Sequence, residues 1–176
     1  MFRLHTVGAG GAPVEPSTVT TTKVRRSLVA IVGHTRLCAL ATVAPGSRAH
    51  GAHVYFAHSP RFDIYFLSDP DSNHCRHLKR NPSMSVSVYD STQHWGGPDR
   101  GVTFYGRCAE ARGRSRSLAE RYYSDRFVAY RRWREGVRPG DETARWRFYR
   151  FVPIRFKVFD EHSLGSGVFV VGSFRG

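Results

Sequence analysis

Apolar residues along this chain switch repeatedly between a helical period and strict alternation, and the switches mark its elements. In TKVRRSLVAIVG (22–33), Val24, Leu28, Ile31 and Val32 recur at helical spacing. They predict a helix with Thr22 as its N-cap and Gly33 just past its end. RLCALATV (36–43) reads as a strand, APGSR (44–48) carries a Pro-Gly turn, and HGAHVYFAH (50–58) reads as a second strand. Ser59-Pro60 leads into a third strand, FDIYFLS (62–68). In SMSVSVY (83–89), Met84, Val86 and Val88 alternate with Ser83, Ser85 and Ser87, so one face of a strand is buried and the other polar.

GVTFYGRCAEA (101–111) continues the strand pattern, after which Ser117-x-x-Glu120 reads as a capping box opening a second long helix. Ala119, Tyr123, Phe127 and Tyr130 form the inward stripe of that helix. WRFYRFVPIRFKVFD (146–160) predicts one or two strands with Pro153 at a break or an edge, and GVFVV (167–171) a last short one. Short strands joined by tight turns predict a mainly β fold with flanking helices, a small barrel rather than an alternating α/β sheet.

Residues 1–22, rich in Gly, Pro, Ser and Thr, read as a flexible N-terminal lead to one domain spanning 23–176. A chain of 176 residues, 40% hydrophobic and 13% aromatic, has enough apolar material for a real core. Its three cysteines, Cys38, Cys75 and Cys108, are odd in number and far apart. That spacing suits neither a disulfide framework nor a zinc cluster and predicts reduced, buried thiols in a cytoplasmic protein. No apolar run reaches the roughly 20 residues that span a bilayer, and no secretory apolar segment opens the chain.

The net charge is +13, almost all arginine, since the lysines are Lys23, Lys79 and Lys157 alone. The basic residues are scattered, with denser patches at 112–116 and 131–134. No zinc-finger, KH or RRM signature accompanies them, so the charge points to an anionic small molecule or a basic surface rather than to nucleic acid.

The stretch that can carry chemistry is FLSDPDSNHCRHLKRNP (66–82). A strand ends at Ser68, Asp69-Pro70 turns the chain, and Ser72 caps a short helix that stops before Pro82. Such a junction offers hydroxyls and helix N-terminal N–H groups to an anion, with His74 in the first turn. Asp69 and Asp71 oppose an anion unless they point away. His50 and His53, three apart on a strand, face opposite sides, and His74 and His77 lack a third ligand at diagnostic spacing, so no metal site is expected. No GxSxG, Walker or GxGxxG motif is present.

Taken in order, RLCALATVAPGSRAHGAHVYFAH, FDIYFLSDPDSNHCRHLKRNPSMSVSVYD and RGVTFYGRCAEA resemble the pyridoxamine 5′-phosphate oxidase-like superfamily. The later SLAERYYSDRF and IRFKVFDEHSLGSGVFV look most like a small bacterial branch of it. The resemblance covers about residues 27–171. It implies a six-stranded split β-barrel of the FMN-binding type, a homodimer with a flavin in each of two clefts, and a flavin-dependent oxidoreductase acting on a small molecule. The implied cofactor residues are Val54, Tyr55 and Phe56 along the ring, Leu67 and Ser68 at the strand end, and Ser72, Asn73 and His74 at the helix start.

The family motif carries an Arg and a Lys on the second strand, where this chain has Ala52 and Ala57, and a glutamine that falls near Gly101 here. His74 stands where a lysine is usual, and Arg76, Arg80 and Arg100 are the cations that could compensate. Lost charge-assisted hydrogen bonds count for about 1.5–3 kcal/mol each. The alternative implied reading is therefore a non-redox protein holding haem, a deazaflavin or another phosphorylated ligand. No side chain is nominated as a general acid or base.

Overall fold

The computed structural model describes residues 2–8 and 19–175. Its elements are β1 (Phe2–Gly8), α1 (Thr21–His34), β2 (Leu37–Ala44), β3 (Arg48–His58), β4 (Ile64–Ser68), α2 (Asn73–Arg80) and β5 (Ser83–Tyr89). There follow β6 (Arg100–Glu110), α3 (Arg114–Arg126), α4 (Val128–Gly136), β7 (Arg147–Asp160), α5 (Glu161–Leu164) and β8 (Val168–Phe174). The strands run in the order β1-β8-β7-β4-β3-β2-β5-β6, and β6 also pairs with β7. Strands β2–β7 thus close a ring of six, the split barrel expected, and β8 and β1 extend the sheet from β7. Among the described residues, no helix is long and apolar enough to cross a membrane.

Two compact units divide the chain, and β2, β5, β6 and β7 each contribute residues to both. In the first unit, α1 buries Val24, Leu28, Ile31 and Val32, the stripe predicted from their spacing. Its cap is Thr20 rather than Thr22: the Thr20 hydroxyl accepts from Lys23 N at 3.2 Å. Gly33 does not end the helix, which runs on to His34 with Thr35 as C-cap. Ser27, on the buried face, donates to the Asp160 carboxylate at 2.7 Å.

In the same unit β1 pairs antiparallel with β8, Phe2 opposite Phe174 and Gly8 opposite Val168. This corrects the flexible lead expected over 1–22: residues 2–8 are strand, while residues 9–18 lie outside the described residues. The partner strand is at the other end of the chain, so no local pattern announced the pairing. Gly172, on β8, faces Phe156, on β7. A Cβ at Gly172 would lie 2.5 Å from Cε1 of the Phe156 ring and closer still to its Cζ, so the ring occupies the space a side chain would need.

The second unit holds β3, β4, α2, α3 and α4 with the first half of β7. Strand β4 pairs with β3 (Phe56 opposite Phe66) and with β7 (Ser68 opposite Arg147, Ile64 opposite Phe151). It begins at Ile64, two residues later than expected, because Phe62 takes a positive φ of 68° in the turn. The Ser59 hydroxyl holds that turn, accepting from Arg61 N at 3.2 Å and Asp63 N at 3.1 Å.

Pro153 breaks nothing, and β7 is one strand of 14 residues. β7 pairs with β4 up to Phe151 and with β8 from Arg155, so Pro153 falls between the two ladders. There its missing N–H costs no hydrogen bond on that edge.

The second long helix also departs from expectation. It starts at Arg114, after Gly113 with φ +49°, and not at a capping box on Ser117. Glu120 instead accepts from the Tyr130 hydroxyl at 2.6 Å. Extended Phe127 (φ −125°, ψ 94°) then divides α3 from α4. Ala119, Tyr123 and Tyr130 are buried together with Ala57, Tyr65, Ala111 and Phe148. The three cysteines are buried thiols.

Candidate functional site

The candidate site is a cleft of about 720 Å³ that lies entirely within the second unit. One wall is the backbone sequence of two neighbouring strands, contributing His53, Val54 and Tyr55 from β3 and Leu67 and Ser68 from β4. Facing them stand Tyr123, Phe127, Tyr130 and Trp133 from α3, α4 and the residue between, with Trp146 just before β7. The rings touch in sequence: Tyr55 to Phe127 at 5.8 Å, Phe127 to Tyr123 at 4.7 Å, Tyr123 to Tyr130 at 4.9 Å, Tyr130 to Trp133 at 5.6 Å, and Trp133 to Trp146 at 5.9 Å. Edge-on and tilted ring pairs of this kind make a rigid apolar wall that accepts a flat conjugated molecule.

The cleft's polar corner is built where β4 hands over to α2. His74 Nε2 lies 2.8 Å from Ser68 Oγ and 3.2 Å from Ser72 Oγ, and the two hydroxyls are 3.3 Å apart. Ser72 is the N-cap of α2 by backbone, yet its hydroxyl makes no capping bond and turns instead to Ser68 and His74. Burial, followed by the nearby His50 and His77 rings, pushes the His74 pKa below its ordinary value. His77 is likewise lowered, chiefly by desolvation; it meets Thr42 Oγ1 at 3.1 Å through Nδ1 and sits edge-on to His50 at 4.9 Å. Burial thus favours the neutral imidazole at His74, and an arriving anion would favour its protonated form.

Asp69 lines the cleft but does not stand there as an uncompensated charge. Arg145 forms a tight ion pair with Asp69 and reaches Asp71 at 3.4 Å. Asp69 Oδ1 also accepts from Asp71 N at 2.9 Å, which fixes the Asp-Pro turn. Among the described residues, no lysine or arginine lines the cleft.

Of the residues expected at a cofactor site, the structure brings Val54, Tyr55, Leu67, Ser68 and His74 to the cleft, with Ser72 bonded to the last two. Two are not brought there. Phe56 follows Tyr55 on a strand and so points to the opposite face, where it is fully buried beneath the Arg126 guanidinium at 4.7 Å. Asn73 turns its carboxamide oxygen to Arg76 Nη2 at 2.6 Å. That bond also engages Arg76, one of the cations expected to compensate. Ala57 is buried in the aromatic cluster and Ala52 is half-buried. A Cβ at Gly101 would meet the Phe159 ring at 3.0 Å, so a larger residue there would need that ring to give by a few tenths of an ångström.

Residues 24–147 match the family model described as pyridoxamine 5′-phosphate oxidase. The chain belongs to that family. No curated protein sequence matches it. Solved structures with the same fold include a heme binding protein from Mycobacterium smegmatis, 15% identical with a TM-score of 0.68, covering 88% of this chain and 58% of that one. HutZ, the heme storage protein from Vibrio cholerae, is 16% identical with a TM-score of 0.58, covering 84% and 94%. A Clostridium acetobutylicum protein related to general stress protein 26 of the pyridoxinephosphate oxidase family is 11% identical with a TM-score of 0.60, covering 80% and 91%. At these identities the likeness is one of fold. Among the cleft residues of this family member, Tyr123, Phe127 and Tyr130 were legible only as a buried helical stripe, and Trp133 and Trp146 carried no signal beyond their size.

Proposed function

We propose that this protein binds flavin mononucleotide in the cleft and acts as an oxidoreductase on a small molecule. The observation that carries the reading is the Ser68–Ser72–His74 corner at the end of an aromatic, apolar cleft. The walls fit the ring: Val54, Tyr55 and Leu67 on one side and the rings of α3 and α4 on the other would hold a planar heterocycle and exclude water. The corner fits the phosphate: two hydroxyls and the first turn of α2 would donate to it, and His74 Nε2 would take up a proton as the dianion approaches. When bound, the flavin supplies the hydride chemistry itself. Arg145 keeps Asp69 from repelling the phosphate.

We further propose that the protein works as a homodimer in the cytoplasm. Tyr55, Val152 and Ile154 expose apolar area for a second copy, and the buried cysteine thiols suit a reducing compartment.

A second reading has an observation of its own. His53 and His74 both line an apolar, aromatic cleft, and an imidazole beside such walls suits haem iron and its macrocycle. The fold's likeness to haem proteins agrees with it.

One experiment separates the two. Purified protein is incubated with FMN or with haem, excess is removed, and the absorption spectrum is recorded. Retained flavin bands support the first reading and a Soret band the second. In the Ser72→Ala, His74→Ala double variant, FMN affinity falls about 100-fold or more, because two hydrogen bonds to a charged group are lost. Unchanged FMN affinity in that variant would reject the corner as the phosphate site.

A further inference from the structure

The aromatic cleft leaves the strong positive charge of the chain unused. In the first unit, α1 carries part of that charge: Lys23, Arg25 and Arg26 are exposed on it, Val29 is half exposed beside them, and the helix contains no acid. Alongside α1 runs the loop between β5 and β6 (90–99), also in the first unit. It meets the helix at both of its ends. Asp90 pairs with His34 at 3.3 Å, and Pro98 and Arg100 share with Arg26, Ala30 and His162 the wall of a depression of about 350 Å³.

The loop's own hydrogen bonds hold it in shape. The Gln93 carboxamide accepts from Arg100 N at 2.7 Å and donates to Asp90 O at 2.9 Å, which closes the base. Gly97 N donates to His94 O at 3.0 Å, which tightens the tip. On that tip Trp95 is fully exposed. The acids nearby are largely engaged by the protein itself. Asp90 accepts from Thr92 N at 2.9 Å, Asp160 from the Ser27 hydroxyl at 2.7 Å, and Glu161 from Asp99 N and Gly167 N at 3.2 and 3.1 Å. Asp99 is the remaining acid of the loop, set against Lys23, Arg25, Arg26 and Arg100.

We infer that α1 and the Trp95 loop form a docking surface for an anionic lipid bilayer. The helix cations lie against the negative leaflet, the depression beside Arg26 and Arg100 seats a lipid headgroup, and the Trp95 indole enters the boundary between headgroups and acyl chains. Indoles favour that boundary, and a loop already held in shape loses little freedom on docking. Each basic side chain near such a leaflet counts for about fivefold in binding. Single-stranded nucleic acid, the other polyanion a basic surface attracts, stacks successive bases on several aromatics. Residues 90–99 hold one aromatic, Trp95, at a protruding tip, which favours the bilayer.

The test mixes the full-length protein with vesicles of phosphatidylcholine alone, or of phosphatidylcholine and phosphatidylserine at roughly two to one, and follows co-sedimentation and tryptophan emission. Wild type sediments with the phosphatidylserine vesicles, less so as salt rises, and its emission shifts to the blue. Arg25→Gln, Arg26→Gln keeps its melting temperature and binds about 25-fold more weakly. Arg25→Lys, Arg26→Lys restores the binding, because the leaflet responds to charge rather than to guanidinium shape. Trp95→Ala binds about tenfold more weakly and loses the blue shift. Wild-type binding that ignores phosphatidylserine overturns the inference, as does a wild type that binds a single-stranded oligonucleotide and neither vesicle. Full binding by both the glutamine variant and Trp95→Ala would overturn it equally.

Discussion

Adding a single methyl group at Gly172 tests the packing of the first unit. Gly172→Ala would place Cβ 2.5 Å from Phe156 Cε1, closer still to Cζ, and 3.1 Å from Cε2. Relief requires the Phe156 ring to move, and the ring is fully buried. Phe2 packs edge-on at 5.2 Å and Phe174 at 5.4 Å, so each direction of escape disturbs another aromatic contact. Forcing a group into a packed core costs roughly 1–3 kcal/mol. For a chain of this size each kcal/mol lowers the melting temperature by about 2–4 °C, so the expected fall is about 2–12 °C.

The assay is thermal unfolding followed by circular dichroism on a double-mutant cycle. Phe156→Leu alone opens a void, and in the combined variant the new methyl fills part of it. The pair therefore loses less than the sum of the singles, with a coupling of about 0.5–3 kcal/mol. Additive losses, or a Gly172→Ala protein as stable as wild type, would show that the Phe156 ring does not fill the space over Gly172.

Two further outcomes concern the site. Burial lowers the pKa of His74 and of His58 below the ordinary 6.5, so the unfolded chain binds protons that the folded one refuses. Stability is therefore full above about pH 7 and declines as pH falls toward the depressed folded values; melts at about pH 7.5 and about pH 5.5 should show the fall, with a shallower slope in His74→Gln. An identical slope in that variant would remove His74 from the account. Arg145→Gln leaves Asp69 unneutralised on the cleft wall, so FMN affinity should drop several-fold, more at low salt than at high salt; a salt-independent or absent effect would contradict the electrostatic role given to Arg145.

What could be read from residue order alone was whatever depends on near neighbours. The alternation of Met84, Val86 and Val88 with serines needs no partner to be understood, and it became the buried face of β5. Ser68, Ser72 and His74 lie within seven positions of one another, so one strand end and one helix start bring them together. Other features depend on distant residues. Nothing near Asp69 and Asp71 reveals that Arg145, more than seventy positions later, cancels their charge. Tyr123, Phe127 and Tyr130 have the spacing of a buried stripe, and spacing cannot distinguish a ring facing the core from one facing a cleft. Phe62 with its positive φ, and a helix started by Gly113 instead of a serine cap, are backbone outcomes that composition does not encode.

The pairing of Phe2 with Phe174 also bears on how the chain comes to its final form. A contact between residues so far apart in sequence confines nearly the whole polypeptide in one loop, so it brings little until most intervening structure exists. β1 is then a late arrival during folding and an early departure during unfolding, attached by one edge to β8. Its amides should exchange with solvent ahead of those of β4, which is paired on both sides.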